Sequence, residues 1–512
     1  MRRKRKTTLF LLFASALAAA ACSSGQPPAP ADESDFKVEA GEQPVDRPAY
    51  YSEQPAVIRM FTESAQSWPY KEDWPIWRWI EEETNITVKG EIPTGNYNDT
   101  LALNIASGDI QDVMFMTTNL ANKYGAEGVL LDLSKHLDKM PNLKAFLEEH
   151  PESKAMVTAP DGEIFNTIFH GSGITNWMIW FAREDILREH GLAMPQTWDE
   201  LYEVSSRLKE IYPDSYPFIF RHGLGNLRNF APTFNTHIGF FPDPKTGQVR
   251  YGPIENAFKE MIAYLNTFYK EGLIPPDWLS MDVKVWNQAM TTSKSFITVQ
   301  YIAQLEIINN QLQDGRLIFM APPAGPGGAS YIPNTNYKNA GYGVFSQTKN
   351  LDAVLKFIDF MYSDRGMEIA SWGRENETYT IQNGERIFLP EFKEFSDLRR
   401  NVGFMTEGSY GKFDTDAMLR LIREDERYSY EEAPKYAFPV QVVPPNFRPD
   451  EMEEFQLLTS RINKHYEENM AKFIMGNRPL EEWERYVEEA EALGVGRLAE
   501  LYQLGWDRQA ES

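Results

Sequence analysis

Ala56-Val-Ile-Arg-Met-Phe61 opens the part of the chain that decides its fold. Four further pieces come after it in order: Pro75 to Glu83, Ile86-Thr-Val88, Tyr97 to Ser107, and Asp112-Val-Met-Phe-Met116. The first and last runs have strand length and are largely apolar, as buried strands are. Pro75 suits the first turn of a helix, where its missing N–H would go unpaired anyway. Gly108-Asp109 stops the second helix before the third strand. Strand, helix, strand, helix, strand is the grammar of an α/β domain with a largely parallel sheet. Ligands of such sheets bind beyond the carboxyl ends of the strands, which here are the loops starting at Thr62 and Thr117.

Downstream, the same grammar begins again near residue 175. The apolar Met178-Ile-Trp-Phe181 leads into Arg183-Glu-Asp-Ile-Leu187, and Thr197-Trp-Asp-Glu200 forms a capping box. Behind the box, Leu201, Val204, Leu208 and Ile211 line one helical face. Ile254 to Lys270 repeats the pattern, with Phe258, Ile262, Leu265 and Tyr269 as its stripe and Gly272 as its stop. A strand, Leu317-Ile-Phe-Met320, runs into the breaker-rich Pro322-Pro-Ala-Gly-Pro-Gly-Gly328. Tyr342-Gly-Val-Phe345 and a helix over Leu351–Ser363 return to the first type of unit. The last 60 or so residues are helical by pattern: Glu451–Phe473, then Leu480–Leu493 with Leu480, Trp483, Val487, Ala490 and Leu493 on one face.

Upstream, Met1 to Gly25 reads MRRKRKTTLFLLFASALAAAACSSG. Five basic residues precede an apolar run from Leu9 to Ala21, which is too short for an anchor helix and ends in small residues, as a secretory leader does. The run stops at Cys22, the only cysteine in 512 residues, so no intramolecular disulfide is open to it. Leu17-Ala-Ala-Ala-Ala21-Cys22 resembles the lipobox of bacterial lipoproteins, in which the leader is cut before the cysteine and the sulfur takes a diacylglycerol. The expectation is a signal peptide over 1–21 and lipidation at Cys22; an ordinary cleaved signal with an incidental cysteine is the plainer alternative. Residues 22–54, rich in Ser, Pro, Gln, Glu and Asp, read as a flexible tether holding an extracytoplasmic body off the membrane.

Loss of residues 1–21 removes five positive charges from a formal −23 and leaves −28. So acidic a chain repels phosphate backbones, and no nucleic-acid partner is expected. About 490 mature residues suggest two or more domains. Aromatic content is 13%, with 12 Trp, 24 Tyr and 31 Phe, which hints at stacking surfaces although most rings fill cores. The seven histidines show no H-E-x-x-H spacing, and no P-loop, G-x-S-x-G or complete G-x-G-x-x-G is present. No cofactor and no metal are expected. Asp and Glu are abundant enough that a carboxylate pair for glycoside hydrolysis is always available to a sequence reading.

Four stretches together resemble one family. Ala106-Ser-Gly-Asp-Ile-Gln-Asp-Val-Met114 matches its strand entry, with Gln111 where proline is usual. Ala159-Pro-Asp-Gly-Glu-Ile-Phe165, with Arg183 to Leu201, matches the first interdomain crossover and the segment after it. Trp372-Gly-Arg-Glu-Asn-Glu-Thr-Tyr379 carries Asn376 in place of a second glycine, and Met475-Gly-Asn-Arg-Pro-Leu-Glu-Glu-Trp-Glu-Arg-Tyr486 through Trp506 matches the C-terminal helices. The chain resembles the large extracellular solute-binding lipoproteins of Gram-positive ABC sugar importers, related to the maltose-binding type. That resemblance implies a two-lobe, type 2 periplasmic-binding-protein-like α/β fold with a helical C-terminal extension. Lobe one is expected over 55–170 and 331–371, and lobe two over 171–330 and 372–508. Some relatives carry a Ca²⁺ loop after the capping-box helix; this chain has only Pro213-Asp-Ser-Tyr-Pro217 there, so no calcium is carried over.

The implied function is capture of an oligosaccharide in the interlobe cleft and delivery to an ABC permease in the membrane, by a lipid-anchored monomer that is not an enzyme. Sugars present flat C–H faces and a rim of hydroxyls, so their sites need aromatic platforms and planar polar groups. Trp68, Trp177, Trp286 and Trp372 are the candidate platforms; Arg221, Asn226, Arg228, Arg374 and Glu375 are the candidate polar contacts. A neutral plant-derived oligosaccharide is favoured over a uronate. Two other classes stay open: a secreted glycan hydrolase or lyase, and a sugar sensor or adhesin without transport.

Overall fold

Strand-forming segments recur along the whole chain and build two separate four-stranded sheets. The computed structural model describes residues 47–65, 68–171, 177–328, 330–334, 340–404, 411–440, 442, 445 and 447–511. The leader and Cys22 lie outside the described residues. The strands in chain order are β1 (Ala56–Phe61), β2 (Ile86–Glu91), β3 (Val113–Thr117), β4 (Met178–Arg183), β5 (Phe218–Phe220), β6 (Phe240–Pro242), β7 (Val249–Tyr251), β8 (Ile297–Tyr301), β9 (Leu317–Met320), β10 (Ala340–Val344), β11 (Tyr379–Gln382) and β12 (Glu385–Phe388).

The first sheet has the order β10-β3-β1-β2. β1 lies parallel to β2 and β3, in register Ala56↔Ile86 and Met60↔Val113, while β10 runs antiparallel to β3 with Ala340 opposite Thr117. Ile58, Met60 and Val113 are fully buried, as strands covered on both faces by helices must be. Helix Pro75–Thr84 has no side-chain N-cap and begins with its proline; it ends where Asn85 turns left-handed at φ 60°. Helix Tyr97–Ser107 is capped by Asn96, whose side chain accepts from the Asp99 N–H at 3.2 Å.

The second sheet has the order β5-β8-β4-β9. Only β5 and β8 are parallel here; β4 is antiparallel to both of its neighbours, so this sheet is mixed where a largely parallel one is expected. Its core is aromatic: the Trp180 and Phe218 rings stack at 5.5 Å, and Trp198 meets Trp180 edge-on at 5.9 Å. The Thr197 hydroxyl accepts from the Glu200 N–H, as the capping box requires, but the Glu200 carboxylate reaches back to the N–H of Gln196 instead of Thr197.

Around the two sheets, Pro48–Ser512 form one compact unit. Residues 48–54, expected to end the tether, are docked: the Tyr50 ring meets Phe360 at 5.1 Å, and the Ser52 N–H donates to the Thr84 carbonyl. A buried aromatic is enough to end a tether early. The stretch 372–404 bridges the two halves. On one side Arg374 pairs with Glu82 and Glu83, and the Trp74 indole N–H donates to the Arg400 carbonyl at 2.9 Å. On the other, the Ser396 hydroxyl donates to Glu306 at 3.0 Å, and Asn310 donates to Glu394. The C-terminal helices Pro449–Met475, Trp483–Ala492 and Val495–Glu511 close the molecule, with Leu458, Ile462, Leu498 and Leu501 in their shared core. No helix among the described residues is long and apolar enough to cross a membrane.

Candidate functional site

Because β5 and β8 are parallel, their carboxyl ends leave the second sheet at the same edge, and antiparallel β4 starts there, with Met178 opposite Tyr301. Three features of the sequence therefore converge on this edge: Trp177 before β4, Arg221-His222 after β5, and Tyr301 at the end of β8. Side chains alternate along β5, so Phe218 and Phe220 point into the aromatic core while Ile219 and Arg221 take the other face. There the Arg221 guanidinium lies 5.4 Å from the Trp286 ring. Trp286 is fully buried in helix Val283–Thr291, its indole N–H donating to the Thr298 hydroxyl at 2.9 Å. Burial lowers the pKa of Arg221, opposed by a weaker interaction with Tyr301, and its Nε is buried with no hydrogen-bond partner.

His222 turns the chain with φ 70°, and its ring meets Tyr301 edge-on at 6.5 Å. Its pKa is lowered first by desolvation and then by the charges of Arg221 and Arg228. The short turns Gly223–Asn226 and Leu227–Phe230 carry the chain from His222 to the exposed Arg228. Asn226, 1% exposed, accepts from the Asn229 side-chain amide, while its own Nδ2 has no acceptor.

The first sheet presents a comparable edge. β1 is followed by Thr62, whose hydroxyl is buried and unpaired, and β3 runs directly into helix Thr118–Ala126. Tyr97 stacks on Phe61 at 4.8 Å, and its hydroxyl donates to the Phe115 carbonyl. Desolvation, with Glu63 nearby, holds the Tyr97 phenol firmly protonated. Asn98, Thr117, Asn119 and Asn122 from this edge face Phe447, Phe455 and Gln456 at the start of helix Pro449–Met475 across a cavity of about 350 Å³. Phe447 and Phe455 are stacked at 4.0 Å. A continuation of about 320 Å³ runs past Ala159, Pro160 and Asp161. Amides opposite stacked rings supply donors, acceptors and an apolar face together, which is what a hydroxyl-rimmed ring of carbons requires.

Half-buried Trp68, on the loop after β1, carries the Arg399 guanidinium 4.5 Å from its ring and borders Ala303, Gln304 and Ile307, which come after β8. The loop from the first sheet therefore reaches the carboxyl end of the second. Beside it Glu306 is half-buried near Glu394 and Glu426; desolvation first, then the Glu394 carboxylate, pushes its pKa up to about 8.

The predicted residues fall into three places. Trp177, Arg221, Asn226, Arg228 and Trp286 gather at the edge of the second sheet, and Trp68 stands at the contact between the halves. Trp372, Arg374 and Glu375 belong to the bridging stretch: Trp372 stacks on Phe388 at 5.1 Å and donates to Asp414 at 2.7 Å, Arg374 is held by Glu82 and Glu83, and Glu375 is exposed. Trp177, Trp286 and Trp372 are 2%, 0% and 4% exposed, so none presents an open ring face here; a large indole is most stable where it packs. Sequence reasoning misses Asn119, Asn122, Phe447, Phe455, His222 and Tyr301. The Thr117 loop is legible as a strand end, and that signal alone could lead to Asn119 and Asn122.

A family model described as bacterial extracellular solute-binding protein matches residues 71–368. The fructooligosaccharide ABC transporter substrate-binding protein FusA of Streptococcus pneumoniae serotype 4 is 26% identical over 479 residues, covering 84% of this chain and 86% of FusA. Lipoprotein LipO of Bacillus subtilis is 24% identical over 328 residues, covering 60% of this chain and 64% of LipO. Among solved structures, the alginate-binding protein AlgQ2 superposes with a TM-score of 0.77 at 23% identity, covering 90% of this chain and all of the AlgQ2 chain.

Proposed function

This chain belongs to the bacterial extracellular solute-binding proteins, and from that membership we propose that it captures an oligosaccharide between its two sheet-bearing lobes and delivers it to an ABC permease. Its role is solute binding, with no bond made or broken. The observation that carries the oligosaccharide reading is the cavity of about 350 Å³ in which Asn98, Asn119, Asn122 and Gln456 face the stacked Phe447 and Phe455. The similarity to a fructooligosaccharide-binding relative supports the same ligand class. The lobes follow the two sheets, and ligand touching both favours the closed arrangement by its differential affinity. Lipidation at Cys22, after cleavage of residues 1–21, holds the protein on the outer face of the membrane; similarity to a lipoprotein supports this.

Two experiments test the reading. A thermal-shift screen against oligosaccharides should find a class that stabilises the protein, by about 2.7 kcal/mol at a hundredfold excess over Kd. A panel of sugars that leaves the melting curve unchanged contradicts it. For the anchor, Cys22→Ser should abolish incorporation of labelled fatty acid and free the protein from the membrane fraction; a variant still acylated and still sedimenting with membranes contradicts the lipobox.

A further inference from the structure

Many arginines in this acidic chain are met by carboxylates: Arg59 by Glu91, Arg183 by Asp185, Arg250 by Asp243 and Glu255, Arg365 by Glu83 and Glu368, Arg497 by Glu454, Arg508 by Glu451. With 74 Asp and Glu against 51 Lys and Arg, a half-buried arginine that finds no acid stands out. The carboxyl end of β5 holds one. Arg221 is half-buried over Trp286, Arg228 is exposed, and neither has a carboxylate partner among the described residues. His222 between them feels both positive charges.

Resting on the oligosaccharide reading, we infer that the captured sugar is acidic, and that Arg221 and Arg228, with the unpaired Asn226 amide in the turn joining them, receive a uronic carboxylate at the carboxyl end of β5. A guanidinium taken partly out of water over an indole gives up hydration that a counter-ion restores. Its planar fork matches a carboxylate bidentately, whereas a neutral hydroxyl engages one N–H at a time. Asn226 Nδ2 is a buried donor left without an acceptor, a group that costs stability until something accepts from it. The position fits capture, because Trp68 of the first lobe borders the residues after β8, the strand paired with β5. The net negative charge of the molecule does not oppose this, since at physiological salt exposed charges are screened beyond about 8 Å.

The test is calorimetry on the full-length protein in detergent, with galacturonate, glucuronate and mannuronate trisaccharides and the same trisaccharides after carboxyl reduction. A uronate is expected to bind at least about tenfold more tightly than its reduced counterpart, with affinity falling as salt rises. Arg221→Gln should remove that difference without changing the melting temperature by more than a few degrees, while Arg497→Gln keeps it. Equal affinity for a uronate and its reduced form, or binding of neutral gluco- or fructo-trisaccharides with none of the uronates, overturns the inference and leaves the oligosaccharide reading standing. Silence of both the acidic and the neutral panels overturns both.

Discussion

Arg374 and Arg221 look alike in the sequence, each an arginine in a loop-rich stretch, and their surroundings separate them. Both terminal nitrogens of Arg374 are occupied by Glu82 and Glu83, and the hydrogen bond from Arg374 is the main cause of the lowered Glu82 pKa. Arg374→Gln should therefore cost about 0.5–1 kcal/mol in urea denaturation, the ordinary value for a partly exposed pair, and leave sugar affinity unchanged. A tenfold loss of affinity at unaltered stability would place Arg374 in the ligand site. Charge type and neighbourhood in sequence are visible without a structure; the partner supplied by a helix almost 300 residues earlier is not. The tryptophans carry the same lesson. Trp286 is one of four candidate platforms in the sequence, yet what fixes its setting is Thr298 on its indole N–H and Arg221 over its ring.

At the scale of elements, legibility tracks periodicity. The strand Leu317–Met320 and the helix Tyr97–Ser107 are legible to the residue, and Pro75 and Gly108 mark a start and a stop because their backbone chemistry allows little else. β5 is not legible: a three-residue strand has no period to detect, and Phe218-Ile-Phe220 owes its conformation to pairing with β8. With β5 goes the edge that gathers Arg221, His222 and Tyr301. In the loop after helix Trp198–Ile211 a cation meets a backbone carbonyl. Lys209 Nζ donates to the Ser215 carbonyl at 2.7 Å and lies 5.0 Å from the Tyr216 ring. Lys209→Met keeps the aliphatic stem but strands that carbonyl, and should destabilise the protein by about 1–2 kcal/mol. A denaturation midpoint within error of the parent would show that water replaces the ammonium. At the cavity, Phe447→Ala removes one of two stacked rings and should weaken sugar binding about tenfold or more, read by calorimetry. Unchanged affinity would move the ligand away from helix Pro449–Met475.

For the whole molecule, half-buried titratable groups are expected to set a pH optimum. Burial, with a smaller push from His150, lowers His170 from 6.5 to about 4, and desolvation does the same to His237. Between those values the unfolded chain binds two protons that the fold refuses, so stability rises with pH up to about 6.5 and is lost on acidification. Glu306 acts in the opposite sense. From the ordinary value of 4.5 up to about 8 the folded state keeps a proton that the unfolded chain has released, so stability falls as pH rises. Two histidines outweigh one glutamate below pH 6.5, and above it the glutamate acts alone. Urea midpoints should therefore peak near neutrality, and Glu306→Gln should flatten the alkaline side while leaving the acid side in place.

The family membership, the Trp68 loop reaching from the first sheet to the second and the cavity between amides and stacked rings all lead to one claim, that this molecule holds a sugar and does nothing else to it. The direct measurement is a calorimetric titration with an oligosaccharide identified by the thermal-shift screen, followed by mass spectrometry of the sugar recovered from the cell. The account predicts saturable binding of one sugar per chain, with the sugar returned at its original mass. Recovery of shortened or unsaturated fragments, or no saturable heat from any oligosaccharide, would contradict it.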